Sequence, residues 1–535
     1  MVERSELPVT YGGEVEMLAI KHDNGLPVPF DDEVRTMVQD ALRHVRDIQD
    51  KHLSVGYDSS RHLIEIGAGV HNKLARLVGA LKEAISTVER ILWDERHACL
   101  LSVSFHPTED MATAYKNVLP KPIYDLWRGV YNGQHRLKPD VLGKVYPSEP
   151  EKGRGWQHQF TAMSTSIQPW NSLEIETAAD QLAVLQATSW MFNLLTANSP
   201  FAEKRRTGKR DVRLDIWEPM LSTSRYKNDA QLIKNLPTRP RGLTDYYRHV
   251  FGYQRLMAIP CAEVQTTGSI INYKKCFRAV VQCADQQEFS VLDYLSADYV
   301  SVVDVERGEV EKIRSSVSHV FNGYDFLYFP RYGARLRVQL PYADSIDARA
   351  FAAAIRSGDE MLLRDLFIQG GVKDGFICVE GRVPATNLPT QAKPDWKRFC
   401  IPFVLQTALL RKHEEVLALL LDETGLEWQQ LVEVLPARTN RISSGFKTQL
   451  RGVQATELAQ QLWLLVQGSL SREERELVGD EIDEILSRQK APAEEQLDLM
   501  ADLSDAASDA VRDDAFARLI KRYTVCTTSQ LVHVI

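Results

Sequence analysis

Apolar residues alternate with polar ones through much of the first part of the chain and recur at helical spacing through the last. The run from Val9 to Ile20 predicts a strand in which Glu14 and Glu16, two positions apart, share a face. Arg61 to Ala68 predicts another strand, with Ile64 and Ile66 turned one way and Leu63 and Glu65 the other. Cys99 to His106 reads as a third. Thr165 to Gln168 reads as a fourth, with Ser166 and Gln168 on the face opposite Thr165 and Ile167. Between them, apolar residues return every three or four positions. This predicts helices over 31–50, with Asp31 or Asp32 as cap, over 74–92, and over 174–195. Asn198, Ser199 and Pro200 stop the last of these, because the residue before proline avoids the α region.

The stretch 120–155 is rich in Pro, Gly and Lys and reads as a long surface connection or a lid over a substrate site. Residues 240–345 are mixed. A helix is expected over 245–257, two strands over 277–283 and 299–305 that form a small extra sheet, and a last core strand over 334–340. From Asp347 the chain is helical: 350–367, 403–421, 455–467, 471–488 and 511–523 all show helical spacing. The fold class is α+β. The expected division is a core over 1–345, a helical region over 346–488, and a linker with a final helix and tail over 489–535.

A chain of 535 residues can bury a large core, and its 44% hydrophobic and 25% charged content is that of an ordinary globular protein. The net charge of −8 argues against general binding to nucleic acid or an anionic membrane. No run approaches the ~18 apolar residues of a spanning helix. Seven cysteines, an odd number without a CxxC pair, suit reduced thiols in the cytoplasm.

Two features then suggest chemistry. Glu14 and Glu16 repel each other when both are ionised unless a cation lies between them, and hard oxygen ligands on a strand suit Mg²⁺ or Mn²⁺. Lys204, Arg205, Arg206, Lys209, Arg210 and Arg213 crowd ten residues beside a helix end, a composition that suits a polyanion such as a nucleoside triphosphate. There is no Walker A or GxSxG pattern.

The order of these elements resembles the glutamate–cysteine ligase family in its plant and bacterial branch. The residues that carry the resemblance are Gly12-Gly13-Glu14-Val15-Glu16, Leu63-Ile64-Glu65-Ile66-Gly67-Ala68, Phe105-His106-Pro107, Thr165-Ser166-Ile167-Gln168, Ala197-Asn198-Ser199-Pro200-Phe201, Gly208, and Arg213 with Trp217. The resemblance covers about residues 9–345. It implies a curved antiparallel sheet like the catalytic funnel of glutamine synthetase, backed by helices. It also implies an ATP-dependent ligase that joins a carboxylate to an amine through an acyl phosphate, with Mg²⁺ or Mn²⁺. Its partners are then small-molecule acids and amines, and self-association into a homo-oligomer is compatible with it.

Carried over residue by residue, Glu14, Glu16, Glu65 and Gln339 are the metal candidates. Arg213, Lys209, Arg210 and Asn198 are the nucleotide candidates. His106, Gln168 and Arg337 are the substrate candidates, and Arg213, Glu65 and Arg331 the catalytic ones. The family's final strand, laid without gaps on Phe329 to Asp344, puts Gln339 where a metal-binding glutamate is expected, Pro341 where an arginine follows it, and Gly333 in place of an earlier arginine. On that alignment an unusual acid or amine is expected. The alternatives are a relative that binds nucleotide or a partner without catalysis, and a phosphotransferase using the same site.

Overall fold

The structure is a computed structural model. It describes residues 9–43, 53–110, 113–114, 117–119, 162–216, 234–253, 258–267, 270–280, 289–304, 308–321, 333–373, 376–504 and 506–525. The expected lid over 120–155 and the tail beyond 525 lie outside the described residues, as do Arg331 and Trp217.

The central sheet is seven-stranded and antiparallel throughout. Its first five strands are β1 (Tyr11–Lys21), β2 (Leu53–Tyr57), β3 (Leu63–His71), β4 (Ala98–Leu101) and β5 (Ile167–Ser172). A short hairpin follows, β6 (Phe201–Ala202) with β7 (Arg205–Arg206). Then comes a second, four-stranded sheet, β8 (Ala258–Thr267), β9 (Ile270–Val280), β10 (Tyr299–Asp304) and β11 (Val310–Arg314), in the order β11-β10-β9-β8. Strands β12 (Ala334–Gln339) and β13 (Phe376–Gly381) return to the central sheet. Its order is β12-β13-β5-β1-β3-β2, with β4 paired to the end of β1.

The extra sheet was expected from two strands and has four. The larger difference is β13. It lies beyond residue 345, inside the stretch read as helical, yet it sits between β12 and β5. The core therefore does not close at residue 345, and β12 is not its last strand.

Register gives this sheet two chemically distinct faces. Directly opposed residues share a face. Val15 opposes Ile66 and Ile167, Met17 opposes Ile64, Leu336 opposes Val379, and Val338 opposes Ile377. All are buried in one apolar core. Helices α1 (Asp32–Arg43), α2 (Leu74–Arg96), α3 (Ala178–Ala187), α4 (Ser189–Thr196) and α5 (Lys397–Arg411) supply the rest of that core. Each side chain fully buried there contributes ~1.5–3 kcal/mol relative to exposure. The helix expected over 174–195 is two, broken at Thr188. Helix α5 lies close on β1: a Cβ on Gly13 would come within 2.7 Å of a Phe403 ring carbon.

The far end of β1 enters a second apolar cluster. Leu18, Ile20, Cys99, Leu101 and Phe201 meet Met500, Phe516, Leu519, Ile520 and Tyr523 there. The stretch after 489 is thus not a linker: α6 (Pro492–Leu499) begins with a proline at its first position, and α7 (Asp509–Tyr523) packs on the β1–β4 edge.

Candidate active site

The other face of the central sheet carries the charges. Glu14 opposes Gly67 on β3 and Gln168 on β5, Glu16 opposes Glu65, Glu380 opposes Trp170, and Arg335 opposes Glu380. Alternation therefore puts Glu14, Glu16, Glu65, Gln168, Trp170, Arg335, Arg337, Gln339 and Glu380 on one surface. At Gly67 a side chain is missing beside Glu14. A Cβ there would lie 3.9 Å from the Glu14 Cγ and only 2.7 Å from Ser54 Oγ.

Hydrogen bonds join most of these groups into one chain. Ser166 Oγ and Gln168 Nε2 each donate to Glu16, at 2.9 Å. Gln168 Oε1 accepts from Arg382, and Arg382 Nη1 also donates to Glu380 Oε1 at 2.5 Å. The second Glu380 oxygen accepts from Arg335 Nε at 2.9 Å and from Arg337 Nη1 at 3.3 Å. Arg337 reaches on to Glu14 at 3.5 Å, and its guanidinium lies 4.3 Å from the centroid of the Trp170 ring.

The carboxylates are tuned apart. Burial works against ionisation of Glu380, yet Arg335, Arg382 and Arg337 together hold it down at about 2. Burial lifts Glu14 above its usual range, against the pull of Arg337. Burial, then the nearby Asp58, push Glu16 up to about 8. A raised carboxyl in a polar cluster is one that a cation would bring back to the ionised form.

Among the described residues no three His, Cys, Asp or Glu side chains form a group able to hold a metal by themselves. Glu14 and Glu16 nevertheless fit a hard cation. Mg²⁺ is usually held by one or two carboxylates together with substrate phosphates, not by a cage made wholly of protein. Glu65, half-buried opposite Glu16, is a third oxygen donor on the same face. Gln339 fits less well: it is exposed at the end of β12, paired with Phe376.

The structure corrects the reading of the final strand. Cys378-Val379-Glu380-Gly381-Arg382 carries the Glu-x-Arg spacing that the family resemblance expects at Gln339 and Pro341. The buried glutamate and the arginine after it are present, 41 residues further on than Gln339 and Pro341. Glu380, Arg382 and Trp170 are the residues of this face that sequence reasoning missed. The Glu-x-Arg spacing was the signal available for the first two.

The basic segment does not face this site. Arg213 is buried and donates to Asp211 at 3.0 Å and to the carbonyls of Thr165, Pro384 and Val383. It thereby clamps the chain after Arg382 to the chain that enters β5. Arg210 is wholly buried, paired with Glu494 at 2.5 Å and lying over Phe446. Lys209 is paired with Asp215 at 2.9 Å. Asn198 is also buried: its carbonyl oxygen accepts from the Ser104 amide, and its Nδ2 donates to the Thr386 carbonyl and the Asn387 side chain. These four residues, expected to contact nucleotide, are spent on internal structure. So is His106. Its Nδ1 accepts the backbone N–H of Thr108 and Glu109, its Nε2 donates to the Gly25 carbonyl, and burial lowers its basicity.

A cavity of about 360 Å³ opens beside the network, lined by Glu14, Gly67, Trp170, Gln339, Phe376 and neighbouring residues. The family model for glutamate-cysteine ligase family 2 matches residues 10–307, more than half of the chain, and the chain belongs to this family. The match takes in β1 to β10 and ends before Glu380 and Arg382.

Among solved structures, the chain is similar to a glutamate–cysteine ligase from Francisella tularensis in complex with AMP, with 12% identity and a TM-score of 0.48 over 97% of this chain and 90% of that one. A bifunctional glutathione synthetase from Pasteurella multocida matches with 12% identity and a TM-score of 0.44, over 96% of this chain and 51% of that one. No curated protein sequence matches. No helix among the described residues is long and apolar enough to cross a membrane.

Proposed function

We propose that this chain is an ATP-dependent carboxylate–amine ligase that works on the charged face of its central sheet. The observation that carries the reading is the chain of contacts from Glu16 through Gln168, Arg382 and Glu380 to Arg337 and Glu14. Carboxylates of the kind that hold a cation and guanidiniums of the kind that hold an anion lie side by side in it, which supports the joining of an acid to a triphosphate.

In the first step the γ-phosphoryl group of ATP passes to a carboxylate oxygen of the acid, and ADP leaves. In the second an amine attacks the carbonyl carbon. The C–N bond forms, the C–O bond to phosphorus breaks, inorganic phosphate leaves with the electron pair, and the amine loses a proton. Mg²⁺, when bound, neutralises the triphosphate and the charge that develops on transfer. Glu14 and Glu16, with Glu65, are the residues that would hold it. Arg382 and Arg337, both partly open to solvent, are placed to receive the substrate carboxylate. Arg335 positions Glu380, and Glu380 in turn orients the two open arginines.

The test is ADP release with Mg²⁺ across a panel of acids and amines, with mass detection of the condensed product. ADP formed only with one acid–amine pair, and a product equal to their sum less water, supports the reading. ATP binding without turnover on any pair overturns it.

A further inference from the structure

Glu14 is wanted by two partners on the charged face. It is a candidate ligand for the cation, and it already meets a guanidinium: Arg337 Nη1 lies 3.5 Å from Glu14 Oε1. The same nitrogen lies 3.3 Å from Glu380 Oε2. Glu380 does not depend on that contact, because Arg335 at 2.8 Å and Arg382 at 2.5 Å meet it more closely. Arg337 and Glu14 each keep 20% of the side chain exposed, so solutes reach both. Glu14 also lines the cavity, and Gly67 leaves the space beside it open.

The guanidinium has a surface to move on. It lies 4.3 Å from the centroid of the Trp170 ring, and attraction to an aromatic face extends to ~6 Å of the centroid. Arg337 can therefore shift by an ångström or more and keep Trp170. A divalent ion on Glu14 would stand within a few ångströms of Arg337, and like charges at that distance repel. Occupation of Glu14 by one cation thus works against occupation by the other. Once parted from Glu14, the guanidinium has a donor to offer to another carboxylate.

We propose that Arg337 holds the place of the cation on Glu14, and that a metal–nucleotide complex, by taking Glu14, turns Arg337 over to the carboxylate of the acid. The proposal rests on the ligase reading for the acid and the nucleotide, and on the contacts of Arg337 for the exchange itself. Its consequence is a coupling between the two ligands: the acid binds more tightly to the protein loaded with metal and nucleotide, and each ligand strengthens the other by the same factor.

The first experiment titrates the full chain with Mn²⁺ alone at pH 8 and reads the free ion by electron paramagnetic resonance. Arg337→Gln removes the competing charge and is expected to bind Mn²⁺ more tightly than the unaltered protein, by on the order of tenfold. Arg337→Met is a second neutral variant with the same expected gain. In a Glu14→Gln background the gain is expected to disappear. Mn²⁺ bound no more tightly by the neutral variants overturns the proposal, as does a gain that persists without Glu14. A second measurement needs no variant. Calorimetry of the unaltered protein with glutarate, a dicarboxylate without an amine, is expected to show binding strengthened on the order of tenfold by Mn²⁺ with ADP. Glutarate bound no better with Mn²⁺ and ADP than without them overturns the proposal. The two readings fail separately. A Glu14-dependent gain in Mn²⁺ affinity, with no ADP release on any acid–amine pair, overturns the ligase and keeps the exchange. ADP release on one pair, with Mn²⁺ affinity unmoved in the neutral variants, keeps the ligase and overturns the exchange.

Discussion

Arg335 and Glu380 face each other across neighbouring strands at 2.8 Å, with 4% and 0% of their side chains exposed. Neither charge has water to fall back on. Removing one member of such a pair leaves the other buried and uncompensated, at a cost of ~3–5 kcal/mol. Glu380→Gln is therefore expected to lower the unfolding free energy by about that amount in urea titration. The Glu380→Gln, Arg335→Met double variant is expected to lose less than the single one. A double-variant loss equal to the sum of the separate Glu380→Gln and Arg335→Met losses would mean that the pair is not coupled.

Arg213 was legible in the sequence as a phosphate ligand and is placed by the structure as a clamp. The two roles make different kinetic predictions. A phosphate ligand changed to Ala would raise the KM for ATP. The clamp holds the carbonyls of Thr165, Pro384 and Val383, so its loss loosens Arg382 and leaves buried acceptors unpaired. Arg213→Ala is expected to cost ~2–4 kcal/mol of stability and to reduce kcat, with the KM for ATP moved less than about twofold. A KM raised tenfold at unchanged stability would restore the original reading.

The same contrast runs through the whole chain. Strands β1, β3 and β5 could be read because each alternates between a buried apolar face and a polar one, as in Val15-Glu16-Met17 and Ile64-Glu65-Ile66. Strand β13 could not. Phe376-Ile377-Cys378-Val379 is apolar at every position, and long helical stretches surround it, so its period carries no face. Strand β2 is a five-residue edge with one buried side chain. The helix expected over 471–488 is cut at Gly479, where a positive φ breaks the repeat without disturbing the apolar spacing on either side. The fate of the basic segment was beyond sequence reasoning, because Arg210 finds Glu494 across 284 residues. A charge cluster shows that anions are needed nearby, but not whether the protein itself supplies them.

Metal binding is expected to need nucleotide. The described residues present paired carboxylates and not a complete cage, so Mg²⁺ alone should raise the thermal midpoint little, and Mg²⁺ with ADP should raise it clearly. Glu16→Gln removes one oxygen charge from that arrangement while keeping a partner for Ser166. A tenfold loss of affinity would remove about 1.4 kcal/mol of the ligand-induced stabilisation at saturating concentrations. Thermal shifts of the two proteins with and without Mg²⁺ would check it. An unchanged shift in Glu16→Gln would take that residue out of the metal site.

Stability should fall on mild acidification, and His106 supplies a traceable part of the fall. Folded, its basicity is lowered by burial, and its Nδ1 is committed as an acceptor to two backbone N–H groups. Unfolded, it takes a proton near its ordinary pKa of ~6.5. Below that pH the unfolded chain binds more protons than the folded one, so the stability that His106 contributes above ~6.5 is lost as pH falls towards its depressed folded value. The slope from one such group is at most about 1.4 kcal/mol per pH unit. His106→Gln offers a neutral acceptor that does not titrate. Urea unfolding of both proteins between about pH 5 and pH 7 should show a shallower pH dependence for the variant. Parallel curves would mean that the imidazole takes up its proton at the same pH folded and unfolded, and the commitment of Nδ1 as an acceptor would fail.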